Sequence, residues 1–185
     1  MKNLISSALL ISVFTINANA QIFRSKEKLG KIHFFSSTPM ENIEASTNTA
    51  NSLLNPTNDT IKFSVTITSF KFPNSLMQEH FNENYLESEK FPKATLMGKI
   101  NEKIDYKKDG VNKVTANCNV TMHGVTKLYT LAGTLTIKGD ELHLVSKFDV
   151  KLVDHKIEVP KLVMQKISES IAIDVDFTYA PFVKK

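Results

Sequence analysis

Ile61-Lys62-Phe63-Ser64-Val65-Thr66-Ile67-Thr68 places Ile, Phe, Val and Ile at every second position, with Lys, Ser and Thr between them. Side chains alternate across a strand with period two, so this stretch reads as a strand with one dry and one wet face. The pattern recurs downstream. Leu142, Leu144, Phe148, Val150 and Leu152 alternate with His143, Lys147, Asp149 and Lys151, and Ile171, Ile173, Val175, Phe177 and Tyr179 alternate with Ala172, Asp174, Asp176 and Thr178. Tyr129, Leu131, Leu135 and Ile137 supply another such face, with Gly133 in phase where a bulge or a close backbone approach fits. Weaker candidates lie near 30–35, 42–47 and 95–104, and Lys108-Asp109-Gly110 and Lys138-Gly139-Asp140 are turn signals. About eight strands in one domain place the chain among all-β sandwiches and barrels. A closed up-and-down antiparallel barrel is favoured, because closure removes the edges that make long apolar strands aggregate.

Two segments break the alternation. Ser75-Leu76-Met77-Gln78 fits an S-x-x-Q capping box, and Leu76/His80, Met77/Phe81 and Phe81/Tyr85 fall at i,i+4, which predicts a short amphipathic helix ending before Phe91-Pro92. A second short helix is expected from Pro160, a residue suited to a first helical position, through Leu162, Val163, Met164 and Ile167.

The chain opens with Lys2, an apolar run from Leu4 to Ile16 and Ala18-Asn19-Ala20, the three parts of a secretory signal peptide. Residues 1–20 are therefore expected to be removed, leaving residues 21–185 as one exported domain, periplasmic or secreted. The run is shorter than the roughly 20 residues a spanning helix needs. The formal net charge of +4 falls to +3 without Lys2, too mild for a nucleic-acid partner. Lysines at 26, 28 and 31, at 103, 107 and 108, and at 184 and 185 suit transient contact with an anionic membrane surface, or an ordinary solvated exterior. The single cysteine, Cys118, has no internal partner and is in phase with Val114, Ala116, Val120 and Met122, as a small buried apolar residue would be.

The five histidines, at 33, 80, 123, 143 and 155, form none of the close pairs that present two metal ligands on one element, and no nucleophile elbow, Walker loop or dinucleotide glycine pattern is present. No catalytic residue, metal or cofactor is assigned. His123, before Gly124, reads as a turn residue bonding local backbone, against an alternative of binding a lipid head group or a proton. His80 is either a satisfied core histidine or a polar group facing a ligand. Glu79, Glu83, Glu87 and Glu89 read as a solvated face.

Two stretches carry a family resemblance: Asn74 to Thr95, NSLMQEHFNENYLESEKFPKAT, and Val120 to Lys127, VTMHGVTK. They resemble the helical segment with its following strand entry, and a characteristic hairpin, of the YceI-like family. The likeness runs in order from about Gly30 to Phe182, and departs from the family's pattern in KIHFFSSTP and at Ile157 to Ser170. The resemblance implies a lipocalin-like eight-stranded antiparallel barrel with one or two short helices, holding a long polyisoprenoid or isoprenoid-quinone lipid in a tunnel for carriage or storage. Phe63, Val65, Ile67, Leu135, Phe148, Val150 and Val175 would line that tunnel, with Met77 and Phe81 closing one side. The alternatives are a packed structural or stress-response barrel without lipid, and an enzyme acting on an apolar substrate in the same cavity. Oligomeric state is left open, a homodimer being one alternative. A tail of some tens of carbons gains about 0.8 kcal/mol per methylene on leaving water, so release into bulk solvent is prohibitive while exchange with a bilayer is not.

Overall fold

The computed structural model describes residues 21–160 and 165–182. The expected signal peptide lies outside them, as does the centre of the expected second helix. Nine strand segments follow in order: β1 (Ile22–Ser37), β2 (Asn42–Thr47), β3 (Asn51–Asn55), β4 (Thr60–Thr66), β5 (Lys93–Ile100), β6 (Gly110–Met122), β7 (Val125–Lys138), β8 (Glu141–Lys151) and β9 (Ser170–Phe182). Each pairs antiparallel with its sequence neighbour except β2 with β3, and β1 returns to pair with β9 from Ile22↔Phe182 to Phe35↔Ala172. β2 and β3 both pair with β1, at Ile32–Ser37 and at Phe23–Arg24, and are two halves of one interrupted strand. The sheet is therefore a closed eight-stranded barrel.

Gly30 explains the interruption. A Cβ built there would lie 2.2 Å from the Ala50 carbonyl oxygen and 2.7 Å from Cε1 of Phe177, so only a glycine lets the β2–β3 break tuck against β1 at this level. β1 itself bulges between Ser25 and Gly30 in its pairing with β9.

The two ends of the barrel differ. At the end where β7 turns into β8, Leu54, Leu135, Ile137, Leu142, Phe177 and Tyr179 are fully buried and fill the interior. The Phe63 and Phe177 rings meet edge-on at 4.8 Å. Ser52 Oγ donates to the Lys62 carbonyl at 3.0 Å, so it accepts from the Tyr179 hydroxyl at 2.7 Å. Burial pushes the Tyr179 phenol above its ordinary value.

The helix α1 (Ser75–His80) and a π-helical turn (Phe81–Tyr85) lie between β4 and β5 at the other end. Asn74, not Ser75, is the N-cap: its Oδ1 accepts from the amides of Leu76 at 2.9 Å and Met77 at 3.2 Å. Gln78 does not close a box with Ser75 but accepts from the Phe72 amide at 3.3 Å. The first of two adjacent capping residues takes the role because Asn74 is extended while Ser75 is already helical. A 3-10 turn, Leu152–His155, follows β8 ahead of the segment of the second expected helix.

Cys118 is buried against Gly98, where a Cβ would meet its Sγ at 2.3 Å. Burial pushes the thiol up to about 11 from 9.0. A thiol reagent at neutral pH is therefore expected to spare the folded protein and modify the chain once denatured, read by mass spectrometry. Because the folded value is raised, this group's contribution to stability is complete below pH 9 and is lost as pH rises through about 11. Burial also raises Tyr106 and Tyr179, so unfolding in alkali should steepen in the same direction.

Candidate functional site

Above the packed layer the inward side chains no longer meet. Val114, Gly133, Ser146 and Val175 lie level with one another by strand register and form the floor of a cavity of about 530 Å³. This falls within the roughly 300–1,000 Å³ of ordinary ligand pockets. Its walls are carbon-rich: Phe63 and Val65 of β4, Leu96 of β5, Ala116 and Val120 of β6, Phe148 and Val150 of β8, and Ile171 and Ile173 of β9. Small side chains at Ala94, Ala116, Gly133 and Ser146 create the void, since larger ones at those heights would meet across the axis.

An aromatic cluster roofs one side. The Phe34 ring lies 5.6 Å from Phe70 and from Phe72 and 5.4 Å from Phe81, and Phe81 lies 5.0 Å from Phe72. Met77 and Phe81 reach the cavity from the helical segment, with the more exposed Leu76 and His80 at its rim. Lys166 pairs with Glu41 at 3.7 Å on the same rim, and the Ser168 amide donates to Ser36 Oγ at 2.9 Å, tying the approach to β9 against β1.

Eight of the nine residues expected at a tunnel, Phe63, Val65, Ile67, Met77, Phe81, Phe148, Val150 and Val175, border this one cavity, Ile67 from a 3-10 turn and not from a strand. Leu135 requires a correction. It shares their inward phase, but it is fully buried with Phe177 in the packed layer and does not border the cavity, which its register partner Leu144 does reach. Phe34, Phe70 and Phe72 were missed. The only signal for the last two is their own spacing in Ser69-Phe70-Lys71-Phe72.

His123 also departs from expectation. It heads a tight two-residue hairpin turn with Gly124, both at positive φ, yet its ring serves distant segments and not local backbone. Nε2 lies 2.6 Å from the Glu87 carboxylate and Nδ1 3.1 Å from the His155 carbonyl oxygen. Glu87 is thereby held to a structural partner, while Glu79, Glu83 and Glu89 are exposed. Among the described residues no group of His, Cys, Asp and Glu is placed to hold a metal ion.

A blind-ended up-and-down barrel with an apolar bore defines a lipocalin-like protein. The profile of the YceI-like domain matches residues 17–179, and the chain belongs to that family. Among solved structures, the chain is similar to a polyisoprenoid binding domain from Saccharophagus degradans implicated in plant cell wall breakdown, with TM-score 0.74, 11% identity, and 86% of this chain and 98% of that one covered. It is similar also to BcnA of Burkholderia cenocepacia, with TM-score 0.72, 12% identity, and coverage of 83% and 98%. The YCEI protein of Campylobacter jejuni aligns with TM-score 0.56, 15% identity, and coverage of 97% and 94%. At these identities the likeness is one of fold. No curated protein sequence matches the chain.

Proposed function

We propose that this is an exported, non-catalytic binding protein that holds the tail of a polyisoprenoid or isoprenoid-quinone lipid in its bore, for carriage or storage. The carrying observation is the void itself: a barrel that plugs one end with Leu54, Leu135, Phe177 and Tyr179 leaves about 530 Å³ open and lined by hydrocarbon in its other half. A relative of the same fold is described as a polyisoprenoid binding domain, which favours a prenyl tail over other apolar guests. Aromatic and methionine side chains around the rim, Met77 and Phe81 among them, adapt to a branched, irregular chain. Membrane exchange needs only a few kcal/mol of difference between bore and bilayer, so the reading requires no catalytic group.

Solvent extracts of gently purified native protein, analysed by mass spectrometry, are expected to contain a prenyl lipid in stoichiometric amount. Protein that is folded and consistently free of lipid would instead support the packed structural barrel, and a chemically altered lipid would support the enzyme.

A further inference from the structure

The barrel wall is not sealed along its whole height. β7 and β8 pair from Lys138↔Glu141 to Gly133↔Ser146, and there the ladder stops. β7 continues to Val125 against β6, and β8 continues to Lys151 against β9. Among the described residues no ladder pair joins 125–132 to 147–151, so the two strands fork apart toward the helical end. Unpaired backbone along a strand is costly in a buried wall and tolerable where the wall opens.

Both limits of the fork are stitched by side chains. At its apex Ser146 Oγ donates to the Ala132 carbonyl at 2.5 Å, where the next ladder bond would fall. At its wide end sits His155, fully buried on the 3-10 turn that follows β8. Its Nδ1 donates to the Val125 carbonyl of β7 at 3.1 Å, and its ring stacks on Tyr129 at 6.0 Å and 2°. Nε2 lies 3.1 Å from the Tyr129 hydroxyl. Tyr129 pairs with Cys118 and so shares its inward phase, yet it stands beside His155 in the fork instead of joining the cavity lining. Two stacked rings thus plug a gap that strands would otherwise close.

Ala132, Gly133 and Ser146, at the apex, border the interior cavity on one side and, together with Val114 and Val175 of the paired strands, a depression on the outer surface on the other. Leu131, Phe148 and Val150 present apolar edges to the bore just inside the fork. Outside, Leu128 and Val153 are 71% and 74% exposed.

We propose that the fork between β7 and β8 is a lateral portal through which the lipid tail enters and leaves the bore, with the stacked Tyr129 and His155 rings as its clasp. This rests on the lipid-binding reading above. A side opening lets a tail slide in along its length, without first passing end-on through the aromatic roof at Phe34, Phe72 and Phe81.

Continuing the register beyond Gly133↔Ser146 would set Thr130 opposite Asp149, and both are exposed. Thr130→Cys with Asp149→Cys, joined by oxidation or by a short bismaleimide, holds the portal shut. The protein is mixed with phosphatidylethanolamine/phosphatidylglycerol vesicles containing a long-chain ubiquinone or a decaprenol, and transfer is followed by extraction and mass spectrometry. Stapling is expected to slow transfer at least about tenfold, which 1.4 kcal/mol on the barrier supplies, with reduction restoring the disulfide form. In an independent arm, Tyr129→Ala should speed transfer by a similar factor, while Tyr129→Phe, which keeps the ring, stays near wild type. Unchanged rates in the stapled protein and in Tyr129→Ala, from a wild type that does exchange lipid, overturn the portal. A wild type that neither holds nor takes up either lipid overturns the lipid-binding reading instead.

Discussion

Replacing Ala116 by tryptophan is expected to leave the barrel folded and its bore unable to keep a lipid. Ala116 projects from β6 into the cavity, beside Ile100 on one neighbouring strand and Leu131 on the other. In a filled core an indole at such a position would force side chains off their rotamers and cost about 1–3 kcal/mol of stability. Here it enters open space, and the same steric cost falls on the guest: about 3 kcal/mol of lost fit weakens retention by roughly 100-fold. Extracts of Ala116→Trp should be nearly free of prenyl lipid, Ala116→Leu should retain an intermediate amount, and both should melt within a few degrees of the wild type. Full retention by the tryptophan variant would mean that the tail does not run past this point.

Phe177→Ala should have the opposite signature. Phe177 is fully buried in the packed layer, in contact with Phe63 and against Gly30. Truncating such a ring costs about 3–5 kcal/mol, through lost transfer energy and the cavity left behind. For a domain of this size that lowers Tm by roughly 6–20 °C, a large share of a typical total stability of about 5–15 kcal/mol. Phe148→Ala is the matched comparison, because its ring borders the bore and gives up fewer contacts. Calorimetry on lipid-free protein should therefore show a much smaller loss for Phe148→Ala than for Phe177→Ala. Equal losses would show that the interior is packed at both heights.

The contrast between these two phenylalanines marks how far the sequence could be read. Both lie on inward phases visible in the alternation, because each strand has a solvent face that keeps its polar residues in step. Phase reports which side of the wall a residue occupies, whereas height along the barrel depends on register between strands distant in sequence. Leu135 was therefore assigned to the right face at the wrong height. The first half of β1 was unreadable for a different reason: Arg24-Ser25-Lys26-Glu27-Lys28 carries little apolar rhythm, and the bulge before Gly30 breaks what remains. β3 is only five residues long and places Leu53 outward beside Leu54 inward, which erases the period. At the site, the apolar walls were legible, while the contact of His123 with Glu87 spans 36 positions and the fork between β7 and β8 depends on where a ladder ends. Neither leaves a local trace.

The solid foot of the barrel and its vacant upper half also set where this molecule can tolerate change. Tight packing is concentrated in the layer beneath the cavity, so residues around the vacancy can vary in bulk with little penalty for folding. On the proposed lipid-binding reading, descendants of such a chain are free to exchange one cargo for another by altering a few wall positions, while inheriting the same anchor unchanged.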